Sequence, residues 1–200
     1  MTNVPSRSAR ADNISEEFFV TDTVYDLVIL GAGSGGYAAA LRGAQLGLSV
    51  ALIEADKIGG TCLHRGCVPT KAILHSAETA EAVREAAAVG VRAVFQGIDM
   101  PAVQKYKDGV ISRMHKGLQG LVSSRGIEVV RGWGRLIAED TVEVDGRRYR
   151  GRNVVLASGS SSKTMGQRIS GPVMTSDQAL ELDHVPASAI ILGGGVIGVE

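Results

Sequence analysis

Tyr25-Asp26-Leu27-Val28-Ile29-Leu30-Gly31-Ala32-Gly33-Ser34-Gly35-Gly36 is the stretch that decides the fold. An apolar run suited to a buried parallel strand breaks off into glycines. Those at 31, 33 and 36 have the G-x-G-x-x-G spacing, and the Ala-rich residues 35–46 read as a helix. In such a turn Gly31 allows the tight bend, Gly33 lets a pyrophosphate approach the backbone, and Gly36 lets the helix pack on the strand. The helix amino terminus then offers free N–H groups and a positive dipole end to the phosphates. Residues 49–54 form a second apolar strand, so strand–helix–strand order predicts a right-handed crossover and a parallel sheet. Glu54, at the end of that strand, stands where an acid would bind an adenosine ribose.

Outward from this unit, a glycine-rich loop at 58–66 carries cysteines. Residues 68–89 read as a helix that Gly90 stops, and 101–124 as another, with Pro101 at its first position and Gly126 past its end. Val103, Tyr106, Val110, Met114, Leu118 and Leu121 recur at helical spacing and predict a core-facing stripe. Short strands are expected at 127–130, 134–138, 142–144 and 148–150, with Asp145-Gly146 as a hairpin turn. Residues 153–157 read as a buried strand, and 159–171 as a loop. Residues 189–192 read as a strand running into Gly193-Gly194-Gly195-Val196-Ile197-Gly198-Val199-Glu200, a second G-x-G-x-x-G. The fold class is α/β: a Rossmann-like domain with a small β-meander, then the start of another Rossmann domain. The boundaries expected are a mobile extension at 1–23, the first domain at 24–187, and the opening strand and glycine turn of the second at 188–200.

Composition narrows the function. The chain has 200 residues, 44% of them apolar, and 21 basic residues balance 21 acidic ones. That balance gives no support for a nucleic-acid or membrane-surface role. No apolar run is long enough for a membrane span, and the polar residues 1–23 lack a secretory signal's apolar core. The expected compartment is the cytoplasm. There a close cysteine pair points to redox or metal chemistry rather than a structural staple.

The pair is Cys62 and Cys67, in C-x-x-x-x-C spacing at a helix start, where the dipole favours the thiolate. The span is feasible for a disulfide if the first helical turn is distorted. A zinc site on Cys62, His64, Cys67 and His75 is the competing reading, but the spacing fits no common structural zinc pattern and Arg65 adds positive charge. No metal is expected; His64 and His75 read as surface or packing residues and Trp133 as a packing residue.

Gly59-Gly60-Thr61-Cys62-Leu63-His64-Arg65-Gly66-Cys67-Val68-Pro69-Thr70-Lys71-Ala72 resembles the active-site segment of the pyridine nucleotide–disulfide oxidoreductases. Leu63 and the Cys-Val-Pro-Thr-Lys-Ala run are more similar to the dihydrolipoyl dehydrogenase branch than to the glutathione or mercuric reductases. The resemblance extends from about Tyr25 to Glu200. It implies FAD and NAD as cofactors. Gly31, Gly33 and Gly36 would hold the FAD pyrophosphate and Glu54 its ribose, with Gly60 and Thr61 in the same cofactor-binding segment. Cys67 would face the flavin, Cys62 would be the interchange thiol, and Lys71 would sit near the flavin. Gly134 would give a backbone contact to the adenine end. Ser158, Gly159 and Ser160 fall in Ala-Ser-Gly-Ser, where the family usually has Ala-Thr-Gly-Ser, and Lys163-Thr164-Met165-Gly166-Gln167 replaces a loop that usually contains proline. Gly193, Gly195 and Gly198 would belong to the NAD site, and Glu200 would pair with Lys71.

The activity so implied is transfer of electrons from dihydrolipoyl groups, through Cys62–Cys67 and FAD, to NAD. The implied partners are a lipoyl-bearing acyltransferase of a 2-oxo acid dehydrogenase complex and a second copy in a homodimer. The family's later segments, including its acid–base histidine, do not occur here, so the chain is expected to be truncated and inactive alone. Two alternatives remain: another disulfide reductase of the same superfamily, or a non-catalytic FAD-binding fragment.

Overall fold

A computed structural model describes residues 20–200. The elements are β1 (Val20–Leu30), α1 (Ser34–Gln45), β2 (Val50–Glu54), α2 (Gly60–His64), α3 (Cys67–Glu85), α4 (Met100–Ser124), β3 (Glu128–Arg131), β4 (Gly134–Ala138), β5 (Thr141–Val144), β6 (Arg147–Leu156), α5 (Ser176–Ala179) and α6 (Val196–Val199). All six strands share one sheet, in the order β3-β2-β1-β6-β5-β4. β1 pairs in parallel with both β2 and β6, and β2 with β3. This is the α/β, Rossmann-like architecture expected.

A strand covered on both faces must be apolar on both, and β1 and β2 are. Val28, Ala51 and Ile53 turn to one face, where they pack with Tyr25, Val130, Val142, Val144 and Tyr149. Ile29, Val50 and Leu52 turn to the other, where they meet Ala40 of α1 and Val122 of α4. The first face is closed by the meander and the second by helices.

The meander depends on β6. Two separate strands, 148–150 and 153–157, were the expectation, and the structure makes them one. Its first half pairs antiparallel with β5 through a turn at Asp145 (φ 48) and Gly146 (φ 77). Its second half runs parallel to β1. Gly151 makes the transition: a Cβ there would lie 2.8 Å from the Asn153 carbonyl oxygen and from Val28 Cγ2. The missing side chain, which reads as a break in the sequence, lets the strand bend sharply while staying paired.

Further expectations need correction. Residues 20–23, assigned to the extension, belong to β1; the extension's residues 1–19 lie outside the described residues. Residues 189–192, expected as a strand, form none, and no strand of the sheet pairs with them. On α4 half of the expected stripe holds: Val103, Val110 and Leu118 are half-buried and Leu118 packs against the core, whereas Tyr106, Met114 and Leu121 are exposed and Lys107 and Val122 are the fully buried residues. Lys107 Nζ reaches the Leu180 carbonyl at 3.2 Å and Glu181 Oε1 at 2.5 Å. Gln104 Nε2 donates to the Leu180 and Leu182 carbonyls at 3.1 and 2.8 Å. The inward face of α4 is therefore partly polar, and it grips the segment after α5. Trp133, read as packing, is 81% exposed. Among the described residues no helix is long and apolar enough to cross a membrane.

Candidate functional site: a glycine turn beneath a cysteine pair

β1 ends in a turn that only glycine can build. Gly31 has φ +100, and a Cβ there would stand 2.2 Å from the Ala157 carbonyl oxygen. A Cβ on Gly36 would be 1.8 Å from the Gly31 carbonyl oxygen. These two glycines seal the turn against the end of β6 and against α1. Gly33 differs: its φ is −67, and the nearest atom to a Cβ would be Gly60 Cα at 3.9 Å. The space in front of Gly33 is open, at the start of a helix whose first N–H groups lack intrahelical acceptors. Glu54 closes the outer side. Its Oε2 accepts from Ala32 N at 2.7 Å and its Oε1 from Asp56 N at 2.8 Å. Each carboxylate oxygen keeps a second lone pair for another donor.

The cysteine segment lies directly on this turn. Gly59 N donates to the Ala32 carbonyl at 2.8 Å. Gly60 has φ +57, and a Cβ on it would come within 2.6 Å of Gly33 Cα. Thr61 and Cys62 follow in α2, whose Leu63 is buried as its anchor. Cys67 begins α3, and Lys71, one turn later, shares its face. Thr70 Oγ1 donates to the Gly66 carbonyl at 2.7 Å, closing the distorted link between α2 and α3. His64 bonds the Ile58 carbonyl at 3.0 Å through Nε2, and its ring meets His115 edge-on with centroids 4.8 Å apart. His115 had no counterpart in the sequence reading, and no short-range spacing would have linked it to His64.

Cys62 is half-buried and Cys67 exposed, and the two are not bonded to each other here. The Cys62 thiol is pushed above the ordinary thiol range, first by its hydrogen bond with Cys67, then by burial and by the Cys67 charge, while Lys71 opposes the shift. The neighbouring thiol outweighs the helix-start effect expected to lower it. Among the described residues no group of three or more His, Cys, Asp or Glu side chains is placed to hold a metal ion.

Other expected positions surround this centre. Ser158 lies against Gly31, its Cα 3.1 Å from that glycine's would-be Cβ; Gly159 has φ +79 and Ser160 is exposed beyond it. Gly134 begins β4 where a Cβ would strike Leu30 Cδ1 at 2.5 Å and Ile53 Cγ2 at 2.9 Å, placing its backbone above the ends of β1 and β2. The departing loop at 163–167 closes as a turn, Gln167 N to the Thr164 carbonyl at 2.9 Å.

The second glycine turn repeats the first. Gly193 has φ +115, Gly195 caps α6 in the conformation Gly33 adopts before α1, and a Cβ on Gly198 would be 2.1 Å from the Gly193 carbonyl oxygen. Gly193 and Gly195 face open space, apart from the first turn. Glu200 connects the two regions. Its Oε1 stands 2.6 Å from Lys71 Nζ, and this partner raises the lysine's pKa.

Comparison with known proteins gives the same centre a lineage. A dihydrolipoyl dehydrogenase of Bacillus subtilis is 41% identical over 195 residues, covering 89% of this chain and 41% of the relative. That of Thermus scotoductus is 38% identical over 178 residues, covering 88% of this chain and 38% of the relative. That of Acholeplasma laidlawii is 37% identical over 185 residues, covering 88% of this chain and 54% of the relative. The chain therefore spans between about two fifths and about half the length of these relatives. The sequence profile of pyridine nucleotide-disulphide oxidoreductases matches residues 25–200, from the first strand through the cysteine pair to the second glycine turn, and the chain belongs to that family.

Proposed function

We propose that this chain forms the flavin-binding and dithiol part of an enzyme that oxidises dihydrolipoyl groups and reduces NAD. The observation that carries the reading is the contact of Gly60 with Gly33, which joins the phosphate-binding turn and the cysteine segment in one site. Enzymes of the family use FAD and NAD, and the residues here fit FAD. Gly33 leaves room for a pyrophosphate, α1 turns its amino terminus to it, and Glu54 has lone pairs for the ribose hydroxyls. Gly60, Thr61, Lys71, Gly134, Ser158, Gly159 and Ser160 line the rest of that site. Gly193, Gly195, Gly198 and Glu200 belong to the NAD side. We place the first domain at 20–187, since β1 begins at Val20, and the start of the second at 188–200.

Bound FAD supplies an acceptor for an electron pair and yields that pair to NAD. The chain's own residues bring the pair there. In the oxidised state a substrate thiolate attacks Cys62 Sγ, breaking the Cys62–Cys67 bond and leaving Cys67 as the thiolate. The second substrate thiol displaces Cys62, releasing a cyclic disulfide. The substrate loses two electrons and the cysteines become a dithiol. Lys71, one turn from Cys67, stabilises the Cys67 charge. In the dithiol Cys62 keeps its proton, because Cys67 and burial raise its pKa. Cys67, exposed in the chain alone, is the cysteine that would face bound flavin. The partners of this reading are a lipoyl-bearing acyltransferase and a second copy of the enzyme, in the cytoplasm.

The test uses Cys67→Ser and Cys62→Ser chains, each loaded with FAD and incubated with oxidised lipoamide. Mass spectrometry is expected to find a mixed disulfide at Cys62 in the first and far less adduct at Cys67 in the second. Equal adducts, or preference for Cys67, overturn the assignment.

A further inference from the structure

We propose that the indole of Trp133 stacks on the adenine of the bound dinucleotide and is a main determinant of its affinity; this rests on the flavin-site reading above. Trp133 is the one tryptophan of the sequence, and it is 81% exposed. Its exposure is built in by its neighbours. Gly132 has φ +143, and a Cβ there would stand 2.4 Å from Val144 Cγ1. Gly134 is pressed onto Leu30 and Ile53 in the same way. With both flanking residues pressed against the sheet, residue 133, between the end of β3 and the start of β4, is left facing solvent.

Sheet order says what it stands beside. Dinucleotides bind outside the carboxyl ends of parallel strands. The turn after β1 is the pyrophosphate site, and Glu54 at the end of β2 is the ribose acid. Outward from β1 the order is β2 and then β3, each about 4.8 Å farther. The base lies beyond the ribose, on the side of β3. β3 ends at Arg131, and Gly132-Trp133 follows at once, with Gly132 N bonded to the Glu54 carbonyl at 3.0 Å. The backbone just before Trp133 and that of the ribose acid are thus joined by one hydrogen bond. A base gives an aromatic ring a flat apolar face at that distance, and such stacking is lost when the ring is removed.

Tryptophan emission of the 200-residue chain is the readout, with ADP as the probe, since flavin would quench by energy transfer alone. ADP is expected to quench Trp133 emission to saturation, and inorganic pyrophosphate to leave it unchanged. Trp133→Leu is expected to weaken binding of ADP and of FAD by about 5- to 150-fold. Trp133→Phe is expected to recover most of that loss. If FAD binds, and Gly33→Val abolishes the binding, while Trp133→Leu binds as wild type and ADP leaves the emission unaltered, the stacking proposal fails and the flavin site stands. If FAD and ADP do not bind, or bind regardless of Gly33, both readings fall. Emission that shifts with protein concentration and not with ADP would mark Trp133 as a contact between copies and also overturn the proposal.

Discussion

Replacing Gly33 separates binding from folding, because the three glycines of the first turn have different surroundings. With φ at −67, position 33 accepts an L-residue, and a Cβ has nothing nearer than Gly60 Cα at 3.9 Å. Gly33→Ala loses part of a helix cap, about 0.5–1 kcal/mol. It gains a similar amount, about 0.4–1 kcal/mol, from a stiffer unfolded chain. Net stability should change by less than about 0.5 kcal/mol. The methyl group nevertheless enters the space a pyrophosphate needs. Crowding of that kind costs about 1–3 kcal/mol, a five- to 150-fold rise in the FAD dissociation constant. Gly33→Val should abolish retention. Gly36→Ala is the contrast: its Cβ would be 1.8 Å from the Gly31 carbonyl oxygen, so it should lower stability before any ligand is added. Urea unfolding and calorimetric titration with FAD, on all three variants, supply both readouts. If Gly33→Ala lost as much stability as Gly36→Ala, or bound FAD as tightly as wild type, this division of roles would be wrong.

Lys107→Met should change unfolding free energy by less than about 1 kcal/mol, since Glu181 is exposed and Gln104 still serves the Leu180 carbonyl. Lys107→Ala should cost about 2–4 kcal/mol through the void left by the buried stem, and urea unfolding compares the two. Burial foremost, then His64, Lys57 and Arg131, lower the His115 pKa from 6.5. The unfolded chain therefore binds the proton more readily, so stability should fall as pH drops below about 6.5, and His115→Gln should flatten that slope in pH-dependent unfolding.

The glycine turns were legible because their requirements are local. Gly31 with Gly36, and Gly193 with Gly198, each settle a backbone contact within six residues, and the second pair does so without a sheet beneath it. Helix limits were legible for the same reason: Asp99 caps α4 from its own sequence, accepting from Ala102 N at 3.1 Å. What escaped depends on distant partners. The apolar periodicity on α4 marked Val103, Val110 and Leu118 but not the polar part of the inward face, where the 180–182 segment offers carbonyls to Lys107 and Gln104. Gly151 reads as a strand break until Val28 is placed against it. The exposure of Trp133 follows from two flanking contacts, with Val144 and Leu30, that no local pattern announces.

The position of β6 has a consequence for how the chain is made. β1 is central, and one of its edges is filled early by β2. The other waits for β6, as the Asn153 amide donating to the Asp26 carbonyl, 127 positions apart, makes plain. Until a ribosome has released residue 156, β1 has an unpaired apolar edge, open to other nascent chains. Closing a loop of that length before any reward is slow. Folding should therefore hold at a β1–α1–β2 stage and finish only when β6 emerges, and this interval is when the protein is most exposed to aggregation and to chaperones.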